Sequence, residues 1–107
     1  MEVTGSPVPL PAAVGLAVFR TAQEALTNAR KHAPGAAVEI RLDYGADAVA
    51  LTVRNALPLD GESRPLAESG AGHGLTGLAE RAAVTGGTLD AGEDGSGHWH
   101  VRVRIPR

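Results

Sequence analysis

The chain has 107 residues, enough for one hydrophobic core and too few for two. Hydrophobic residues make up 43% and charged residues 21%, a balance that excludes a disordered chain. With one Phe, one Trp and one Tyr, the core has to be built from Val, Leu, Ile and Ala. The net charge of -2 and the scattered Lys and Arg form no basic stripe, which argues against nucleic acid as a partner. The lack of cysteine excludes disulfides and thiolate metal sites. No run approaches the roughly 20 apolar residues of a membrane span, and the amino terminus lacks a signal-peptide pattern. These totals describe a cytoplasmic domain with no membrane contact of its own. Because Met1 leads almost directly into structured sequence, the chain reads as a piece of a longer protein.

Glu2 to Thr4 are expected to form a short edge strand. Ser6-Pro-Val-Pro-Leu-Pro11 suits an extended lead-in, since Pro is excluded from helix interiors and central strands. Pro11 suits a first helical turn, and a helix is predicted from there to His32, stopped by Ala33-Pro34-Gly35. Val38, Ile40, Leu42 and Tyr44 alternate with Glu39, Arg41 and Asp43, the pattern of a half-buried strand. Gly45-Ala-Asp47 is the turn of a hairpin. The returning strand has Val49, Leu51 and Val53 on its buried parity. Asn55 shares that parity at the strand's end, and is expected to face space beneath the helices where a ligand fits.

Ala56 to Ala71, with Pro58, Gly61, Pro65 and Gly70, is a long stretch without periodicity, and such stretches are often lids. A second helix is predicted from Leu75, with Leu78, Ala79 and Ala82 at helical spacing, ending at Gly86-Gly87. Thr88 to Ala91 and Trp99 to Ile105 form the last hairpin around the turn Gly92 to Gly97. In its final strand Trp99, Val101, Val103 and Ile105 are expected to face in, and His98, His100, Arg102 and Arg104 out. Trp99 reads as core or sheet rim. The order strand, helix, two strands, helix, two strands predicts an α+β fold: a two-layer α/β sandwich with a mostly antiparallel sheet.

The chemistry concentrates on the first helix. At about 100° per residue, Glu24, Asn28, Lys31 and His32 fall within about a quarter of the circumference. Phe19, Ala22, Leu26 and Ala29 are expected on the opposite, apolar side. A carboxylate, a neutral oxygen ligand and a cation on one stripe suit a magnesium-bound polyphosphate. Gly72-His-Gly74, at the start of the second helix, suits the phosphates themselves. There is no GxxxxGK[ST] loop and no GxGxxG after a first strand, so the familiar phosphate-loop folds are excluded. His98 and His100 have the spacing to chelate a metal from one strand face, but no third ligand is evident.

Gln23-Glu-Ala-Leu-Thr-Asn-Ala-Arg-Lys-His-Ala33 resembles the asparagine box of sensor histidine kinases. Gly72-His-Gly-Leu-Thr-Gly-Leu-Ala-Glu-Arg81 resembles their second glycine box, in the variant of short-lidded kinases that pair with helix-turn-helix response regulators. The resemblance covers essentially residues 1–107 as one catalytic, ATP-binding domain. It implies the GHKL (Bergerat) type of fold, a mixed sheet covered on one face by helices.

It also implies roles. Asn28 would bind the magnesium that bridges the ATP phosphates, and Glu24 would act as base or orienting group for a histidine nucleophile. Lys31 and His32 would approach the phosphates. The backbone of Gly72, His73, Gly74 and Leu75 would cradle them. Where family members carry an adenine-binding Asp followed by spaced glycines, this chain has Val53-Arg-Asn-Ala-Leu-Pro58. Asn55 can still accept from the adenine amine, but Leu57 and Leu59 fill glycine positions. The implied partners are a dimerisation domain bearing the phosphoacceptor histidine, which this chain lacks, and a downstream response regulator. An anti-sigma-factor-like serine kinase of the same fold, or a degenerate non-catalytic binding module, are the competing readings.

Overall fold

Seven elements run along the chain: β1 (Glu2–Thr4), α1 (Ala12–His32), β2 (Val38–Tyr44), β3 (Ala48–Ala56), α2 (Ala71–Val84), β4 (Thr88–Glu93) and β5 (His98–Pro106). The computed structural model describes residues 2–33, 35–56 and 71–106, with backbone alone for His32 and residues 71–75. The five strands form one sheet in the order β1-β2-β3-β5-β4. β1 runs parallel to β2, and the other neighbouring pairs are antiparallel. Both helices pack on the same face, α1 against β3 and β5, α2 against β4 and β5.

Alternation within the strands decides which face the helices cover. Val49, Leu51 and Val53 of β3 and Val101, Val103 and Ile105 of β5 share one parity, and all are buried with Val14, Ala17, Ala25 and Ala82 of the helices. Ile40, Leu42 and Tyr44 of β2 pack at the margin of this cluster. Val38, expected inside with them, is 37% exposed. It lies at the far end of its strand, opposite Asn55, where the apolar interior gives out.

Helix α1 starts after Pro11 and ends where the Ala33 amide donates to Ala29 O at 2.9 Å. Its orientation departs from expectation. The buried positions are Val14, Ala17, Thr21, Ala25, Asn28 and Ala29, while Phe19 is 57% exposed and Leu26 only half-buried. Small side chains let the helix approach the sheet closely, so the stripe of Ala, Val and Thr faces the core, and the largest apolar residue is turned away. Thr21, buried mid-helix, satisfies its hydroxyl by donating to Ala17 O at 2.8 Å.

Helix α2 begins at Ala71, four residues before the expected Leu75. Its glycines therefore lie in the first turn rather than ahead of the helix. It ends in a Schellman arrangement: Gly86 takes φ 81°, Gly87 N donates to Ala82 O and Gly86 N to Ala83 O. The last hairpin is longer than expected, because Gly92 and Glu93 continue β4 opposite His100 and Trp99. Asp94 and Ser96 close the turn through side-chain bonds, so the strands stay paired up to it. The expected lid falls on residues 57–70, outside the described residues.

Candidate functional site

The candidate residues come from three elements on the helical side of the sheet. Asn28 is 6% exposed and stands one turn after Glu24, which is half-buried, while Lys31 is exposed. His32 is the last residue of α1. Burial on the stripe peaks at Asn28 and gives way to solvent at Lys31, in the last turn of the helix. A carboxamide costs free energy to bury among Ala and Val unless its polar atoms are used. Its place on the core-facing stripe puts Asn28 between helix and sheet, not on an open surface.

Asn55 lies at the end of β3 and is 4% exposed. Its Nδ2 donates to Ala56 O at 3.1 Å. That bond engages the amine end of the carboxamide with the backbone. Across the sheet Asn55 is flanked by Val38 and Trp99, and Trp99 is flanked in turn by Glu93. This row is where the inner face changes from aliphatic to polar. Trp99 packs at the margin of the core, and its Nε1 is buried with no hydrogen-bond partner among the described residues. Nothing in the sequence signals that donor, since a lone Trp on the apolar parity of a strand reads as core.

Gly72, His73, Gly74 and Leu75 lie in the opening of α2. The first four amides of a helix have no partner within it, and the helix dipole adds positive potential there. The earlier start of α2, at Ala71, therefore puts the amides of Gly72, His73 and Gly74 among those suited to an anion. Asn28 supplies an oxygen donor of the hard kind that magnesium takes, with the remaining positions left to phosphate and water. The residues present fit that ion.

The outer face of the sheet is a different environment. A shallow open hollow there is lined by Glu39, Arg41, Asp43, Thr52, Arg54 and Arg102, all remote in parity from the candidates above. Arg54 donates from Nε to Asp94 at 2.9 Å and from Nη2 to Ser96 Oγ at 3.0 Å, and Glu39 lies 3.7 Å from its Nη1. The Ser96 hydroxyl and amide, with the Arg54 guanidinium, hold the Asp94 carboxyl well below the usual carboxylate range. Asp43 is lowered as well, chiefly by the hydrogen bond from the Thr4 hydroxyl and further by Arg41. His98 faces Arg54 and Ser96 through its Nδ1. Among the described residues no three His, Asp or Glu side chains gather to hold a metal, so His98 and His100 gain no third ligand.

The chain matches no model of a known protein family. It is 37% identical over 87 residues to the sensor histidine kinase LnrJ of Bacillus subtilis (strain 168), an alignment covering 81% of this chain and 20% of that protein. The chain thus spans about a fifth of the length of the curated relative it matches. Among solved structures it is similar to the histidine kinase AdeS of Acinetobacter baumannii, with TM-score 0.69 and 15% identity over 98% of this chain and 51% of that one. It is similar also to the ATP binding domain of PrrB from Mycobacterium tuberculosis, with TM-score 0.56 and 25% identity over 99% of this chain and 79% of that one. No helix among the described residues is long and apolar enough to cross a membrane.

Proposed function

We propose that this chain, a histidine-kinase-type catalytic domain by its fold and its sequence likeness, binds ATP with magnesium and presents the γ-phosphate to a histidine on a separate dimerisation domain. The observation that carries the reading is the burial of two carboxamides, Asn28 and Asn55, on the helical side of a largely aliphatic interior, where the one other buried polar side chain among the described residues, Thr21, is satisfied by Ala17 O. Buried neutral amides cost stability unless a partner uses them, and each sits at a position where the sequence boxes call for a ligand contact.

In the reaction, a histidine nitrogen forms a bond to the γ-phosphorus while the bond from that phosphorus to the β,γ-bridging oxygen breaks, and ADP leaves. Asn28 would hold magnesium, which when bound offsets charge on the phosphates. The amides at the start of α2 would donate to the phosphate oxygens, and Lys31 and His32 would stand near them at the end of α1. Glu24, one turn before Asn28, would take or orient the proton of the incoming imidazole. Asn55 would accept from the adenine amine. The phosphorylated dimerisation domain then serves a response regulator.

Calorimetry with ADP and magnesium tests the binding step: saturable heat and a raised melting temperature are expected, and neither at millimolar nucleotide would overturn the reading in favour of a non-catalytic binding module. With a histidine-bearing dimerisation domain added, Glu24→Gln is expected to bind nucleotide normally and slow transfer roughly 10²–10⁴-fold. Transfer at the unaltered rate removes Glu24 from the chemistry. A transferred phosphate stable to acid would identify a serine acceptor instead.

A further inference from the structure

We infer that Trp99 is a nucleobase-contacting residue, its indole N–H donating to a ring nitrogen of the purine whose amine Asn55 accepts. The inference rests on the ATP reading above and extends it to a residue that neither sequence box contains. Trp99 stands directly opposite Asn55 in the β3–β5 register, and opposite residues on one face of an antiparallel pair have Cβ atoms about 4.5–5.5 Å apart. Both face the helices: Asn55 continues the parity of Val49, Leu51 and Val53, and Trp99 that of Val101, Val103 and Ile105.

The indole N–H is donor only, and in Trp99 it is buried with no partner among the described residues. A buried donor without a partner forfeits its desolvation free energy, and a ligand acceptor restores it. The Asn55 amine end is already engaged with Ala56 O, so the pair offers one donor and one acceptor side by side. A 6-amino purine presents the complementary set, an amine beside an acceptor ring nitrogen, whereas a 6-oxo purine puts an oxygen acceptor where the amine stood, so the Asn55 oxygen would face another acceptor. The row at the end of β3 and β5 therefore reads the base as well as holding it.

Trp99 is the single tryptophan of the chain, so its emission reports this row alone. Titration of the wild-type domain with ADP and magnesium is expected to change that emission along the same curve as calorimetry, and GDP is expected to bind at least about 5-fold more weakly. Trp99→Phe keeps the ring and removes the N–H. It should lower ADP affinity roughly 3- to 10-fold, narrow the preference over GDP, and leave binding of magnesium tripolyphosphate unchanged. Heat on ADP addition without any change in Trp99 emission overturns the inference and leaves the ATP reading standing. Equal loss of ADP and tripolyphosphate in Trp99→Phe also overturns it, because that pattern is structural. Absence of any ADP binding to the wild type overturns the ATP reading itself and this inference with it.

Discussion

Alternate residues of β5 belong to two different chemistries. Val101, Val103 and Ile105 face the helices at 1%, 0% and 0% exposure. Arg102 and Arg104, on the other parity, are exposed on a face that also carries Arg41, Asp43 and Arg54. Burial holds the inner face together, at roughly 25 cal/mol for each Å² of apolar surface removed from water. Exposed ion pairs cross-link the outer face, and such pairs are individually weak and screened by salt. The comparison teaches where a site can be built. On the outer face Arg54, Asp94 and Ser96, and Arg41 with Asp43, answer one another, though His100 Nδ1 is buried there with no partner among the described residues, whereas Asn28, Asn55 and the Trp99 N–H interrupt a largely aliphatic interior.

The sharpest way to break the comparison is to change the charge by one on each face at neighbouring positions. Val103 lies between Leu51 and Leu89 in the sheet, so Val103→Asp buries an unpaired carboxylate and is expected to cost more than about 4 kcal/mol. That approaches the whole stability of an ordinary small domain, about 5–15 kcal/mol, and the variant should be largely unfolded by circular dichroism. Arg102→Ser, one residue earlier and opposite Thr52 and Asp90, is expected to stay within about 0.5 kcal/mol of the parent in urea denaturation. Similar losses in the two variants would erase the distinction between the faces.

A second test uses glycine. At Gly87 an added methyl would meet Arg104 O at 2.5 Å and Ile105 Cγ1 at 2.8 Å, where the exit from α2 lies against the end of β5. Neither backbone nor a fully buried Ile yields cheaply, so Gly87→Ala is expected to cost about 1–3 kcal/mol. At Gly92 on β4 nothing lies within 4 Å of that position. Gly92→Ala should be neutral or slightly stabilising, by about 0.4–1 kcal/mol, through the lost freedom of the unfolded chain. Urea midpoints of the two variants decide it.

Much of this architecture was legible in the sequence because strand alternation is a local signal. Val49, Leu51 and Val53, and then Val101, Val103 and Ile105, declare both the strands and the face that is covered. Pro11 and the run Ala33-Pro34-Gly35 bracket α1 for reasons of backbone sterics alone. The rotation of α1 was not legible. Periodicity locates an apolar stripe, but Ala17, Thr21, Ala25 and Asn28 are too small or too polar to outweigh Phe19 and Leu26 on any hydrophobicity scale. Close approach to the sheet decides the matter, and that is a tertiary preference. The start of α2 at Ala71 was hidden because glycine weakens helix propensity without forbidding a first turn. Asn55 was legible from parity. That the Trp99 N–H finds no partner among the described residues was not, since a donor's partners are a property of the packed chain.

The smallest effect expected is at Asp94, and it isolates the electrostatic contribution of the outer face. Its carboxylate accepts from the Ser96 amide and hydroxyl and from Arg54 Nε, and these contacts lower its pKa in the folded state. A carboxyl depressed on folding binds fewer protons when folded than when unfolded, so its stabilisation is present above the unfolded value of about 3.9 and fades as pH falls through the lower folded value. The stability difference between the parent and Asp94→Asn should therefore be constant across pH 5 to 8 and shrink only in strong acid. It should also be small at neutral pH and smaller still in high salt, because both Asp94 and Arg54 are reached by solvent. Denaturation midpoints measured against pH and salt check both dependences. A difference that grew on acidification would mean that Asp94 is held protonated in the turn, and the outer face would then owe its order to something other than ion pairing.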